Sequence, residues 1–164
     1  MKRLLGFLGF LGLIAGLLPT NSTAGPPPSP TSPGHRFTLV LGGEAVHDAS
    51  TGLIWEQQPD YVHDVWSASV ERCRAKRVGG VEGWRAPSVT ELKSLLDLMQ
   101  RDPALPKDHP FSNVKSAIYW TATPSPTDDI VAWQVSFFTG EAVTDQKSGT
   151  RRAWCVHNTD PSIK

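Results

Sequence analysis

The chain has 164 residues, 39% of them hydrophobic and 20% charged, with sixteen basic and sixteen acidic side chains. A formal charge of zero argues against nucleic acid as the main partner, because polyanion binders present a strongly basic surface. The length allows one domain with one core and not two.

The N-terminus reads as a secretory signal peptide over residues 1–24. Lys2 and Arg3 precede an apolar run from Leu4 to Leu18, Pro19-Thr20-Asn21 break it, and Ser22-Thr23-Ala24 supply small residues before a cut between Ala24 and Gly25. Fifteen helical residues span roughly 22 Å, short of the ~30 Å hydrocarbon core. No cysteine follows the run to carry lipid. The expectation is therefore an exported chain, in the periplasm or outside the cell at its surface or free, with no stable membrane anchor after cleavage. Losing Lys2 and Arg3 leaves fourteen basic against sixteen acidic residues, a formal charge of −2. The local basic groups Arg72, Arg74, Lys76 and Arg77, and the pair Arg151-Arg152, read as solvated faces.

Residues 25–36, GPPPSPTSPGHR, contain five prolines and no large apolar side chain, which predicts an extended tether. A folded region from Phe37 to His157 follows, and residues 158–164 form a tail. FTLVL at 37–41 is a short strand. Ala45–His47 and Leu53–Glu56 are the arms of a hairpin whose turn, Asp48–Gly52, uses Asp and Ser to bond the local backbone and Gly for positive φ. Asp64 is the expected N-cap of a helix from Val65 to about Val78, with Val65, Ala68 and Cys73 on its apolar side. Gly79-Gly80 is expected to end that helix in a left-handed cap.

Residues 79–93, GGVEGWRAPSVTELK, then form a joint between two helices. Trp84-Arg85-Ala86-Pro87 must be extended, because a residue before proline avoids the helical region. Ser88 caps the second helix and Glu91 completes a capping box. Trp84 plugs the joint with apolar area, and Arg85 offers five donors to neighbouring carbonyls or carboxylates. Val89, Leu92, Leu95, Leu96 and Met99 form the apolar stripe. An irregular, proline-bearing segment covers 101–113. Three strands follow at Ala117–Thr123, Ile130–Phe138 and Glu141–Asp145, with a final strand at Arg151–His157. Strands, two helices, then strands make an α+β fold with an antiparallel sheet.

Cys73 and Cys155 are the two cysteines. In an exported chain an even count suggests a bridge, here closing a loop of about 80 residues and restricting the unfolded chain by roughly 4 kcal/mol. A redox or metal role is the alternative, although no CxxC is present.

Six pieces in order carry a family resemblance: DASTGLIW at 48–55, WSASVERC at 66–73, GGVEGWRAPSVTELKSLLD at 79–97, YWTAT at 119–123, AWQVSFFTGE at 132–141 and RRAWCV at 151–156. Over residues 44–157 the chain resembles the Lcl_C domain family, the C-terminal domain of the bacterial collagen-like adhesin. The resemblance implies a C-type-lectin-like fold, with two helices, a small twisted antiparallel sheet and a long disulfide from the first helix to the last strand, where Cys73 and Cys155 stand. Ala86 replaces the leucine usual in the family, and a proline-rich tether stands in place of the collagen-like region.

No catalytic constellation is visible, and the chain is read as a non-enzyme. Gln58-Pro59-Asp60 matches a tripeptide of calcium-dependent lectins but precedes the first helix, so it reads as a loop turn. Asp128 and Asp129 could hold a cation, calcium being the one considered, and equally suit an exposed turn. No histidine shows metal-ligand spacing, so no resident metal or cofactor is expected. Trp120 and Trp133 are the aromatic candidates for stacking on a sugar, with Asp128, Asp129, Arg151 and Arg152 as polar candidates beside them. The leading expectation is a lectin-like binding module for a glycan or protein surface, acting through loops 123–130 and 145–152. The alternatives are an enzyme on the related scaffold of sulfatase-modifying oxidases, which hold copper with cysteines, or a structural subunit of an envelope assembly.

Overall fold

The computed structural model describes residues 35–160 and residue 163. The expected signal peptide and all of the tether but His35 and Arg36 lie outside the described residues, as do positions 161, 162 and 164 of the tail. The elements are β1 (Phe37–Val40), β2 (Ala45–Asp48), β3 (Ile54–Glu56), α1 (Trp66–Arg74), α2 (Val89–Ser94), β4 (Ile118–Pro124), β5 (Val131–Ser136), β6 (Ala142–Gln146) and β7 (Val156–His157). The α+β class holds, but the strands form two sheets rather than one. One has the order β1-β2-β3-β7 and the other β4-β5-β6, with every pairing antiparallel.

Successive side chains on a strand face opposite ways, and the first sheet uses both faces. Val46, Trp55 and Val156 stand in register across three strands and belong to a cluster with Leu92, Leu95, Phe111, Phe137 and Trp154. Their neighbours Ala45, Ile54 and Cys155 belong to a second cluster with Cys73, Trp84 and Ala86. The single core expected from length is thus divided by the sheet. Ala86 is buried in the second cluster, where its small side chain sits with the disulfide and Trp84.

The segment 151–157 joins the sheets. Arg152 bridges Tyr119 of β4 in parallel, and four residues on the chain enters β7. It is therefore one short strand with an irregular approach, not a strand from Arg151. Cys73 and Cys155 are bonded, with Cα atoms 5.3 Å apart. That spacing suits a disulfide, and the bridge ties α1 to the lead-in of β7.

The joint at 79–93 forms as its residues dictate. Ser88 accepts from the Glu91 N–H and Glu91 from the Ser88 N–H, a complete capping box. Trp84 is buried and donates its Nε1–H to the Val81 carbonyl at 3.0 Å. The carbonyl of Pro87 accepts from the Ala122 N–H at 2.6 Å, which pins the joint to β4.

Several local expectations are corrected. α1 stops at Arg74 rather than Val78, and its N-cap is Val65 with no side-chain bond. Asp64 instead accepts from Arg72 Nε at 2.8 Å. Lys76 is drawn out of helical register by Glu56 at 2.7 Å and Asp60 at 3.1 Å. Gly79 and Gly80, at φ 57° and 78°, are not the cap. They make a two-residue turn in which Val78 and Val81 exchange backbone bonds at 3.2 and 3.0 Å, the positive-φ pair that such turns require. The inward side chains of α1 are Ser69 and Cys73, whereas Val65 and Ala68 are exposed. On α2, Leu92 and Leu95 are buried, but Met99 is 87% exposed because the helix has ended before it. Arg36, assigned to the tether, is part of the fold: it pairs with buried Asp48 at 2.8 Å.

Candidate functional site

The loop 57–65 is fixed at both ends by its own polar residues. The Gln57 side chain donates to the Pro110 carbonyl at 2.8 Å, and Asp60 holds Lys76. At the other end Asp64 and Arg151 exchange backbone bonds at 2.9 and 3.0 Å. Between these anchors Tyr61 projects, 47% exposed. The ring sits at one end of a belt where aromatic and cationic side chains meet. Lys115 Nζ lies 5.3 Å from the Tyr61 ring centroid and the Arg152 guanidinium 5.5 Å from it. Farther along, Arg151 lies 5.9 Å from the Trp120 ring and Lys147 4.5 Å from the Trp66 ring.

The cations of the belt are not equivalent. Arg151 is satisfied by Gln134 Oε1 at 2.8 Å and by Asp145. Lys147 donates to the Asp129 carbonyl at 2.6 Å. Arg152 has no carboxylate partner among the described residues, and its Nε and Nη1 are buried without a hydrogen-bond acceptor. A guanidinium stays charged in proteins, so desolvated N–H groups without acceptors carry a cost. Lys115 likewise makes no ion pair among the described residues. Its backbone is held by the Tyr119 hydroxyl, which accepts from Lys115 N at 3.1 Å and donates to Lys115 O at 3.2 Å. Burial pushes the Tyr119 phenol above its ordinary range, and the positive charge of Arg152 works against that rise.

The candidates named from sequence divide across the molecule. Trp120 is buried, with its Nε1–H on the Asp64 carbonyl at 3.2 Å, so its face is not open to a sugar ring. Trp133 is half-buried, and since Trp120 pairs with its neighbour Gln134, it faces the other side of the sheet. There it lines an open groove of about 540 Å³ with Leu98 and Val143. Arg151 lies against the Trp120 ring and the Arg152 carbonyl accepts from Trp120 N at 2.9 Å, whereas Asp129 offers only its backbone carbonyl to Lys147. Asp128 accepts from its own loop, from Ile130 N at 3.0 Å. Among the described residues no three His, Cys, Asp or Glu side chains converge as a metal would require. The joint residues Trp84, Arg85, Pro87, Ser88 and Glu91 serve packing and capping. Cys73 and Cys155 are joined, so neither offers a thiolate in this state.

Sequence reasoning missed Tyr61, Lys115, Trp66 and Lys147. Tyr61 had a signal in its position, a large ring in a polar loop two residues after a proline. Lys115 had none, because it meets Tyr61 across 54 residues of sequence, with its backbone held by the Tyr119 hydroxyl.

The sequence profile of the Lcl C-terminal domain matches residues 44–157. No curated protein matches the chain.

Proposed function

The chain belongs to the Lcl C-terminal domain family, and on that footing we propose that it is an exported binding module on a C-type-lectin-like scaffold. It recognises a glycan or protein surface through the face built by residues 60–66, Lys115 and 147–152. The observation that carries the reading is the exposed Tyr61 ring flanked by two cations, Lys115 and Arg152, that have no carboxylate partners among the described residues. An exposed ring offers flat apolar contact, and adjacent free charges add orientation, a combination that serves recognition rather than folding. Fold alone does not assign a ligand, so the test must be direct. The mature chain from Gly25, probed against a glycan panel and against immobilised envelope proteins, is expected to bind at least one class. Tyr61→Ala should weaken that binding tenfold or more, while Trp133→Ala, on the opposite side of the sheet, should leave it unchanged. A blank across both panels, or a Tyr61→Ala variant that binds like the parent, overturns the reading.

A further inference from the structure

We propose that Arg152, assisted by Lys115, is an anchor for a single carboxylate of a protein partner, with the Tyr61 ring as its cover. The proposal rests on the binding reading above and names the chemistry of its central contact. The guanidinium has two shielded N–H groups with no acceptor, and the face of Tyr61 lies 5.5 Å from it. The arrangement lacks an oxyanion. A carboxylate supplies one with charge-assisted hydrogen bonds, and arginine suits it better than lysine because its donors are fixed in a plane.

The surroundings select a ligand with one charge over a polyanion. A polyanion needs a track of free cations. Here the neighbouring cations are already engaged: Arg151 by Asp145, Arg72 by Asp64, and Lys76 by Glu56 and Asp60. Asp60 and Asp64 flank the Tyr61 loop and would repel a second anionic group. Among the described residues Lys115 shares the Tyr61 ring with Arg152 and has no carboxylate partner. Tyr61 stands in a loop without regular structure and is 47% exposed. Its side chain can therefore swing from the guanidinium to admit the ligand, then lie against the aliphatic part of the partner.

The test is a titration of the ¹⁵N-labelled mature chain, reading the Arg152 Nε–H resonance. The probes are acetyl-Gly-Glu-amide, with one side-chain carboxylate, acetyl-Gly-Gly, with one terminal carboxylate, and dextran sulfate as polyanion. Saturable shifts with at least one peptide are expected, and the stronger peptide tells a side-chain from a terminal source. Affinity should fall only modestly as salt rises, because one charge pair is weakened by screening alone. Arg152→Gln should weaken binding tenfold or more, Lys115→Gln several-fold, and Arg152→Lys, which keeps the charge but not the fork, by an intermediate factor. The resonance in the parent chain decides the matter even if Arg152→Gln fails to fold. No saturable peptide shift, unchanged affinity in Arg152→Gln, or a response to dextran sulfate alone overturns the anchor. If Arg152→Gln still binds the envelope proteins like the parent, the anchor falls and the binding function stands. If the parent itself binds nothing in either panel, the function falls first.

Discussion

The guanidinium of Arg85 grips the Glu91 carboxylate with both terminal nitrogens, Nη1 to Oε2 at 2.8 Å and Nη2 to Oε1 at 2.7 Å. The same Oε2 accepts the Ser88 N–H at 2.7 Å, so one carboxylate closes a helix cap and a salt bridge together. Arg85 also pairs its backbone with Val156 at 2.9 and 2.8 Å. The joint is thereby tied to β7.

Glu91 should give the protein an acid-sensitive component of stability. The Arg85 hydrogen bonds, opposed by partial burial and helped by the Ser88 N–H, hold its carboxyl at about 2, below the ordinary 4.5. A depressed carboxylate stabilises the fold fully above its unfolded pKa, and the contribution is lost as pH falls from about 4.5 toward 2. Glu91→Gln is expected to lower unfolding free energy at pH 7 by about 1–2 kcal/mol, allowing for solvent screening. Urea unfolding of both proteins at descending pH should show the gap closing. A constant gap would refute the assignment.

The disulfide closes a loop with a sequence separation of 82. Replacing Cys73 and Cys155 together by serine should cost about 4 kcal/mol in the loop-entropy account. The parent protein in reductant should unfold at the same denaturant midpoint as the double variant. Equal midpoints for oxidised and reduced parent would contradict the stabilising role.

Gly79 and Gly80 share positive φ but differ in surroundings. A Cβ at Gly79 would meet Leu41 Cβ at 2.6 Å, whereas one at Gly80 meets nothing within 4 Å. Gly80→Ala should cost about 1 kcal/mol from backbone strain. Gly79→Ala should cost more, because the clash adds to the strain. Thermal unfolding of the two variants gives the order, and the reverse order would count against the turn geometry.

Trp154 is the centre of the larger cluster, with ring centroids of Phe111 at 4.9 Å, Phe137 at 5.5 Å and Trp55 at 5.8 Å. Its Nε1–H satisfies the Glu56 carbonyl at 2.9 Å. Trp154→Ala should cost about 3–5 kcal/mol from the cavity, enough to unfold a marginal domain. Trp133→Ala, at a half-buried position, should cost clearly less. Comparable losses in chemical denaturation would contradict the assigned core.

The parts of the fold legible in sequence are those whose cause is local. Ser88 and Glu91 are three residues apart, so a capping box can be seen without knowing the rest. The 45–56 hairpin shows because Asp48, Ser50 and Gly52 encode their own turn. Asp48 also shows where that reading stops. Burial alone would raise its carboxyl, but hydrogen bonds from Arg36 and Ser50 hold it below the ordinary range, and Arg36 looked like tether. The end of α1 was misplaced for a similar reason: helical spacing continues through Lys76, but two carboxylates from other segments draw that residue away.

Sequence by itself determined the α+β class, the order of strands and helices and the capped joint, because periodicity, caps and glycine placement act within a few residues. Tertiary structure decided which tryptophans are inside, how the strands divide into two sheets, and which cations keep a free charge. Those outcomes depend on contacts between segments tens of residues apart. Whether Arg152 or Arg151 is left without an acid was settled by where Asp145 came to lie, and no local pattern carries that information.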